Sequence, residues 1–553
     1  MKILKICKKY LQIYIRTLCI YIILSIFSNA LAYLSPIITG NFIDGLINTL
    51  TINFVYKYCL ILVVITFFSM ILNFMLSMIY TKIQANMGYL FNRDVLFHVQ
   101  NLPLSYTKTK DMSYTNQMIN EDTNTLIIFC LNFFREFLLK LISIPILLFI
   151  CYYINKEIAL IFLFFLITYV ILYHILKKYI FRNNYELRES QNRFFGVMFE
   201  QLSFIKFIKM NSCEDVFRNR LDYNYKQLYK TTIKNQKFVY LFSSLDGFIS
   251  LCAQIVMYIF GALQILHGNF TIGNFTIYIS YFNIILSIIR YLFNYGQSYQ
   301  TTLVSHNRIN EILNERVEPQ GTIYIKHINS IRINELQYSY NEDQKSLFNN
   351  LIYTLEIGYI YGIIGQNGAG KTTLVNLILG LFNSELASDK LYYNDIDIKQ
   401  LDMRTVRREL IAITEQEPVL INGSIRDNLL WHVNRNEDLK SDTTERDLKY
   451  LLNIFNLSEL NIDMHIDALA NASGLISGGE KQKISLIRTL LKKSNVIILD
   501  EPTSAVDVNS IEELMIYLNK IKSSKIIIIV THDQYVSKMC DKTLLLSNST
   551  FQS

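Results

Sequence analysis

The segment YIYGIIGQNGAGKTTLVNLILG, Tyr359–Gly380, decides how the second half of the chain folds. An apolar run typical of a buried strand leads into a glycine-rich loop, and an apolar-periodic helix follows the loop. Glycines in this position let backbone N–H groups approach phosphate oxygens, Lys371 would reach the β- and γ-phosphates, and the Thr372 hydroxyl would bind Mg²⁺. A chance loop is the alternative, and the flanking strand and helix argue against it. The residues predicted to hold the phosphates are Gly365, Gln366, Asn367, Gly368, Ala369, Gly370, Lys371, Thr372 and Thr373.

Two more strand patterns end in residues suited to phosphate chemistry. NVIILDEPTSAVD, Asn495–Asp507, places Asp500 at a strand tip, where it would hold Mg²⁺ through nucleotide or water, and Glu501 follows at once. A second carboxylate has no structural purpose at a buried strand tip, so we interpret Glu501 as a base that polarises water. IIIIVTHD ends near His532, which would contact the γ-phosphate or hold Glu501 in place. Taken alone, each pattern fits an ordinary core strand followed by solvated charged residues. The order of the patterns along the chain favours a nucleotide site.

A second glycine turn lies in ISGGEKQKISLIRTL, Ile476–Leu490, ahead of an amphipathic helical pattern. Its serine and glycines leave backbone N–H groups at a helix N-terminus, which suits an anion. An ordinary loop with a helix cap is the alternative in isolation. The residues of this turn that we predict to contact a nucleotide are Ser477, Gly478, Gly479 and Glu480.

Together these motifs resemble the nucleotide-binding domain of the ATP-binding cassette (ABC) transporter family. The resemblance implies that Tyr340 stacks on adenine, that Gln416 in AITEQEP lies near Mg²⁺, and that Ser504–Asp507 crosses to a partner. The turn ISGGE, Ile476–Glu480, resembles the family's signature sequence, and the helix after it is called the signature helix below. The resemblance implies that this signature turn of one copy faces the ATP held by the glycine loop of another. The chain would then dimerise, most simply with a second copy of itself. The resemblance assigns catalysis to Glu501, His532 and Gln416. It assigns the binding of Mg²⁺, partly through water, to Thr372, Gln416 and Asp500.

Two positions depart from the family pattern. Glu480 stands where glutamine is commoner, and its negative charge near a phosphate-binding turn would weaken ATP-driven closure slightly. LANASGL, Leu469–Leu475, does not match the segment that usually precedes the signature in this family and signals to the membrane helices. Glu501 and His532 are both present, so the site is expected to be active.

Composition predicts a membrane half ahead of this domain. Of 553 residues 51% are hydrophobic and 18% are charged, and the apolar excess falls in the first three hundred. The net charge of +7 without a basic, aromatic stripe disfavours nucleic acid as a partner. We therefore predict an α-helical transmembrane domain of the ABC exporter type over residues 1–315, and an α/β P-loop ATPase domain with a helical signature subdomain over residues 316–553.

Apolar runs long enough to cross a bilayer predict six spans. They are Thr17–Ile43, Tyr58–Thr81, Phe137–Tyr153, Ile158–Leu176, Gly247–Leu266 and Phe270–Ile289. Lys and Arg residues before the first span and after the fourth place these flanks, the N-terminus and the nucleotide domain in the cytoplasm, which predicts a multi-pass protein of a bacterial plasma membrane. Long inner loops predict that the helices extend below the bilayer and turn on short cross-helices near Tyr106–Tyr114 and Leu202–Asn211.

Membrane half before nucleotide half is the exporter arrangement, so the resemblance implies an ATP-driven homodimeric exporter that works by alternating access. A small peptide or similar amphipathic cargo is the favoured substrate; a lipid or drug translocator, and a nucleotide-gated sensor or channel with little turnover, are alternatives. No peptidase domain precedes the first span, so a peptide cargo would not be trimmed by this chain. Arg135, Glu136 and Lys140 are either part of a substrate path or simple ion pairs at the cytoplasmic edge.

Overall fold

The computed structural model of the chain describes residues 2–48, 51–109, 112–268, 270–318, 320–339, 347–366, 368–382, 390–431, 442–466, 476–503 and 506–546. The chain divides into two compact units. The first comprises Met1–Phe97 and Ser113–Asn314, and the second comprises His98–Met112 and Glu315–Ser553. A short segment from the first half of the sequence thus belongs to the second unit.

Long helices make up the first unit. They are α1 (Lys2–Ile13), α2 (Ile15–Asn48), α3 (Ile52–Gln100), α5 (Met112–Asn132), α6 (Leu138–Ile154), α7 (Lys156–Ser203), α8 (Ile205–Asn211), α9 (Glu214–Leu266) and α10 (Ile272–Asn314), with α4 (Leu104–Thr109) in the second unit. A π-helical turn, Phe133–Phe137, joins α5 to α6. The short helices α4 and α8 lie in the two stretches where cross-helices are predicted.

Five helices within the described residues are long and apolar enough to cross a membrane. They are Ile15–Ile47, Ile52–Gln100, Met118–Ile154, Glu214–Leu266 and Ile272–Asn314. They cover five of the predicted spans almost completely. The remaining one, Ile158–Leu176, lies in α7, whose side chains are described only in part, so the count of six stays a prediction.

One face of α3 suits a lipid environment. On α3, Val63, Phe67, Met70 and Phe74 recur at helical spacing, and each side chain is more than 60% exposed. A contiguous apolar stripe of this kind would be unfavourable in water, and it is the expected surface for a helix in hydrocarbon. The chain is therefore a multi-pass membrane protein.

Close packing holds the predicted outer ends of α2 and α10 together. A Cβ atom on Gly273 would lie 2.1 Å from the Gly40 carbonyl oxygen, so only glycine permits this approach. The Asp44 carboxylate accepts hydrogen bonds from the Gly273 N–H at 2.7 Å and from the Thr271 hydroxyl at 2.6 Å. Asp44 thereby satisfies a backbone donor at the start of α10, as acidic residues near helix N-termini commonly do.

The second unit contains two main sheets and a helical part. Its strands are β1 (Ser330–Tyr338), β2 (Phe348–Glu356), β3 (Ile360–Gly365), β4 (Leu391–Tyr393), β5 (Ile396–Asp397), β6 (Ile411–Thr414), β7 (Gly423–Ser424), β8 (His465–Ile466), β9 (Val496–Asp500), β10 (Ile526–Thr531) and β11 (Lys542–Leu546). Its remaining helices are α11 (Lys371–Ile378), α12 (Met403–Thr405), α13 (Ile425–Leu429), α14 (Asp442–Ile454), α15 (Gly478–Leu491), α16 (Val508–Ile521) and α17 (Gln534–Lys538).

The central sheet is parallel, with strand order β11-β3-β10-β9-β6. Strands β9 and β10 are buried at every position, as their unbroken apolar runs predict for a sheet covered on both faces. An antiparallel sheet of order β2-β1-β4-β5 accompanies it. Because the carboxyl ends of parallel strands meet at one edge, the loops after β3, β10, β9 and β6 come together there.

Candidate functional site

The phosphate loop follows β3 and ends in α11. Gly368 and Gly370 have φ angles of 84° and 92°, in the left-handed region that favours glycine. A Cβ atom on Gly370 would also lie 2.9 Å from side-chain atoms of Leu347 and Phe348. The loop can therefore keep this shape, with the N-terminus of α11 open to an anion, only with glycine at these positions.

Lys371 is buried beneath this loop. Its ammonium group donates to the carbonyl oxygen of Gly365 at 2.8 Å and to that of Gln366 at 3.4 Å. The side chain thus curls along the loop that it is predicted to serve, and a phosphate in the loop would find the cation in place. Thr373 is buried in the first turn of α11, and Asn367 lies outside the described residues.

Thr372 and Asp500 come together across the strand edge. The Thr372 hydroxyl donates to Asp500 Oδ2 at 3.4 Å. Burial, and next the neighbouring charge of Glu501, raise the pKa of Asp500 above its usual value. A buried carboxylate whose charge is disfavoured gains from a nearby cation, so these two oxygens are suited to Mg²⁺.

Glu501 lies between the residues that follow the neighbouring strands. Gln416 donates through Nε2 to Glu501 Oε2 at 2.8 Å, and His532 Nδ1 lies 3.3 Å from Glu501 Oε1. The carboxylate is 13% exposed and the imidazole is 65% exposed. Gln416, Glu501 and His532, which the sequence predicts to be catalytic, therefore lie in contact, and the exposed imidazole shows that this contact opens to solvent.

The backbone at Glu501 is unusual. Its φ angle is 47°, which a residue with a Cβ atom seldom adopts, and its N–H donates to the Val530 carbonyl oxygen at 2.9 Å. The buried Gln482 side chain of α15 donates to the Glu501 carbonyl oxygen at 3.0 Å. Residues in such conformations persist where surrounding bonds fix them, often at functional sites. Sequence reasoning missed Gln482, although its place one turn into the signature helix was a usable signal.

Ser477 and Glu480 form a capping box at the N-terminus of α15. The Ser477 hydroxyl accepts from the Glu480 N–H at 3.2 Å, and Glu480 Oε2 accepts from the Ser477 N–H at 2.6 Å. The Ser477 N–H, and next the Ser477 side chain, lower the pKa of Glu480. Ser477 and Gly478 are exposed, so the start of the helix is open to an external anion.

A cavity of about 470 Å³ reaches from the nucleotide residues to the segment between α3 and α5. Thr372, Gln416 and Asp500 line one part, and Leu104 of α4 lines another. The Leu104 N–H donates to the Leu381 carbonyl oxygen at 2.9 Å, and its side chain packs against the core of the second unit. Docking of α4 thus reaches the same cavity as Gln416.

Two cations line this cavity, half-buried Arg407 and buried Lys492, and neither was predicted. Arg407 pairs with Glu318 at 2.7 Å and donates to the Leu379 carbonyl oxygen at 3.0 Å. Lys492, just after α15, donates to the carbonyl oxygens of Arg407 and Ile411, and burial lowers the pKa of Lys492 to about 8. The two side chains join the ends of α11 and α15 to the linker at Glu318. No motif marks them, because their roles depend on distant backbone carbonyls.

Some of the predicted site lies outside the described residues: Tyr340, the segment 469–475 and Ser504. Asp507 is the N-cap of α16, where it accepts from the Ser510 N–H at 2.9 Å, and it pairs with Lys483 of α15 at 3.4 Å.

Comparisons with known proteins agree with this arrangement. Residues 18–289 match the family described as ABC transporter transmembrane region, and residues 348–504 match the family described as ABC transporter. The lactococcin transport/processing ATP-binding protein LcnC-like of Lactococcus lactis is 27% identical over 71% of this chain and 54% of its own length. The chain thus spans about half of that relative.

Two further matches extend over nearly the whole chain. The alpha-hemolysin translocation ATP-binding protein HlyB of Proteus vulgaris is 26% identical over 97% of this chain and 75% of its own length. The fold is similar to a bacterial Atm1-family ABC exporter with ATP bound, with a TM-score of 0.85 and 14% identity over 98% of this chain and 96% of that one. The chain therefore belongs to the ABC transporter family, and it joins the exporter-type transmembrane region to an ATP-binding domain in one polypeptide.

Proposed function

We propose that two copies of this chain form an ATP-driven exporter that moves a small peptide or similar amphipathic molecule out of the cytoplasm. The observation that carries the proposal is Glu501, held by Gln416 and His532 beside the Thr372–Asp500 pair. The names of the lactococcin and hemolysin relatives support a peptide cargo. Residues 1–315 would form the membrane domain and residues 316–553 the cytoplasmic ATPase domain.

The chain's own residues account for the hydrolytic step. Glu501 accepts a proton from a water molecule, the water oxygen attacks the γ-phosphorus, the bond to the bridging oxygen breaks, and ADP leaves. Gln416 and His532 orient the Glu501 carboxylate, and Lys371 stabilises the phosphate charge. Thr372 and Asp500, with Gln416, would hold Mg²⁺, which supplies charge neutralisation on the phosphate oxygens when bound.

The exposed start of α15 supports the proposed dimer. Ser477 and Gly478 present a helix N-terminus to solvent, and we assign its partner as the γ-phosphate held by the other copy. Each closed dimer would then contain two ATP sites, each built from both chains. Closure would shift the membrane domain from inward to outward access, and hydrolysis would reset it.

Glu480 is expected to weaken ATP binding in this interface only modestly. Its carboxylate is turned back to the Ser477 N–H rather than left pointing outward. We expect Glu480→Gln to lower the ATP concentration for half-maximal hydrolysis about two- to fivefold, because glutamine keeps the capping box and removes a negative charge. Titration of ATP against hydrolysis rate measures this. A rise in that concentration would show that the carboxylate helps closure.

Leu104 of α4 is expected to help transmit the stimulation of ATP hydrolysis by bound cargo. Leu104→Ala removes apolar contact from α4 but leaves the backbone bond to Leu381. We expect cargo stimulation of hydrolysis to fall severalfold while the basal rate stays within about twofold. Leu545→Ala, at a half-exposed leucine of β11, is the matched control. Equal loss of basal and stimulated rates would show a general packing role.

The test of the proposal is ATPase activity of the full chain in lipid nanodiscs across peptides, lipids and hydrophobic drugs. We expect amphipathic peptides to stimulate native protein and to leave Glu501→Gln unstimulated. Stimulation by lipids alone, or drugs alone, would replace the peptide proposal with a translocator of that class. A basal rate near that of Glu501→Gln, without stimulation, would favour a nucleotide-gated sensor.

A further inference from the structure

The π-helical turn Phe133–Phe137 lies at the start of the third predicted span, Phe137–Tyr153, and carries ionisable side chains. Arg135 and Glu136 lie in the turn, and Lys140 lies one turn beyond it. Lys140 lies fourteen positions before the end of α6 at Ile154, which corresponds to about 21 Å of helix. Turns of this kind in long helices are frequent at functional sites.

The three charges pair with one another but do not cancel. Glu136 Oε1 lies 3.4 Å from Arg135 Nε, and Glu136 Oε2 lies 2.9 Å from Lys140 Nζ. One carboxylate therefore serves two cations, and the cluster retains one positive charge. The simple ion pairs that the sequence allowed are present, but they leave one positive charge that a bound anion would balance.

Aromatic rings hold both cations in place. The Arg135 guanidinium carbon lies 4.7 Å from the centre of the Tyr80 ring, and Lys140 Nζ lies 3.7 Å from the centre of the Tyr291 ring. Rings of α3 and α10 thus orient the cations without neutralising them. Arg135 keeps 39% of its side chain exposed and Lys140 keeps 28%, so an anion could reach both.

A donor without a partner lies at the same place. The Tyr291 hydroxyl is buried and has no hydrogen-bond partner among the described residues. A buried unsatisfied hydroxyl is unfavourable by itself, and an acceptor from a ligand would satisfy it. Phe137 and Tyr291 lie beside Tyr295, with ring centres 4.7 Å and 6.2 Å from its ring, so apolar surface adjoins the charges.

We propose that Arg135, Lys140 and the Tyr291 hydroxyl form a carboxylate-binding site for the exported cargo. The inference rests on the proposed export function and specifies its substrate: an amphipathic peptide whose free C-terminal carboxylate enters this site while its apolar body lies along the aromatic rings. One carboxylate balances the one surplus charge. Glu136 positions the cations and competes with the cargo for them.

This arrangement predicts effects of opposite sign from adjacent residues. Arg135→Gln removes an attraction and should weaken binding of a peptide acid about tenfold or more. Arg135→Lys keeps the positive charge and should therefore retain much of the affinity for the peptide acid. Glu136→Gln frees both cations and should tighten binding. If the ion pair were purely structural, Arg135→Gln and Glu136→Gln would both weaken peptide binding.

The test uses two labelled amphipathic peptides of one sequence, without acidic side chains, ending in a carboxylate or an amide. Fluorescence anisotropy measures their binding to the full chain in phosphatidylcholine nanodiscs, and hydrolysis is measured in parallel. Lys156→Gln is the control, because Lys156 also lies over a ring, that of Tyr152, but near the opposite end of the helix. We expect the acid to bind at least about tenfold more tightly than the amide in native protein and in the control, and equally in Arg135→Gln.

Equal binding of acid and amide to native protein would overturn the inference, as would shifts of the same sign in Arg135→Gln and Glu136→Gln. An Arg135-dependent response to phosphatidylglycerol with no preference between the peptides would also overturn it, in favour of a lipid headgroup. Failure of the export function has a separate signature. Carboxylate-dependent binding without any stimulated hydrolysis would support the site and contradict the exporter.

Discussion

Replacing Glu501 by glutamine is expected to lower ATP hydrolysis by about a hundredfold to ten-thousandfold while ATP still binds. The amide has the shape of the carboxylate, so the contacts with Gln416 and His532 at 2.8 Å and 3.3 Å can largely persist. What is lost is the ability to take a proton from water. The nucleotide should therefore stay bound, unhydrolysed, in the closed dimer.

Hydrolysis of ATP by purified protein in nanodiscs, with binding of a fluorescent ATP analogue measured alongside, checks this result. Glu512→Gln is the matched control, because Glu512 also accepts a hydrogen bond, from the Tyr535 hydroxyl at 2.6 Å, but lies on α16. The control should hydrolyse ATP at nearly the native rate. A Glu501→Gln protein that kept a third of the native rate would exclude Glu501 as the base.

The second large effect concerns the two halves of the proposed ATP site. Lys371→Ala should abolish hydrolysis, because the buried cation of the phosphate loop is removed. Ser477→Arg should do so as well, because a long side chain would fill the exposed start of α15 where the γ-phosphate is proposed to bind. We expect each loss to reach about a hundredfold.

A control separates the signature role from helix capping. Ser424 is also the N-cap of a helix and forms a capping box with Asp427, so Ser424→Arg removes an equivalent cap from α13. It should weaken the fold by about 1 kcal/mol and leave hydrolysis largely intact. Equal loss of hydrolysis in Ser424→Arg and Ser477→Arg would mean that Ser477 serves only the helix. Hydrolysis rates and thermal unfolding of both variants decide this.

Much of the site could be predicted because its parts follow directly from strand ends. Unbroken apolar runs identified β3, β9 and β10, and the next residues in sequence were the polar ones that meet at the sheet edge. The bulk of the membrane spans followed from their length and composition alone. Those signals are local, so one sequence carries them.

The rest depends on distant atoms. Lys492 donates to the carbonyl oxygens of Arg407 and Ile411, and no pattern in the sequence marks these contacts. The position of Gln482 in α15 is a usable signal, but its contact with the Glu501 carbonyl oxygen forms only in the fold. The π-helical turn Phe133–Phe137 is a local change of hydrogen-bond register inside a helical pattern that reads as continuous. The continuation of α3 from its predicted span to Gln100, by contrast, follows the helical extension that the sequence predicts.

Mixing two inactive proteins tests most directly whether each ATP site is shared between chains. Protein carrying Lys371→Ala and protein carrying Ser477→Arg are co-reconstituted in equal amounts, and ATP hydrolysis is compared with that of each alone. A mixed dimer would pair the intact loop of one chain with the intact signature turn of the other, so activity should reappear, up to about a quarter of the native rate. A mixture no faster than the sum of its two components would contradict the shared site.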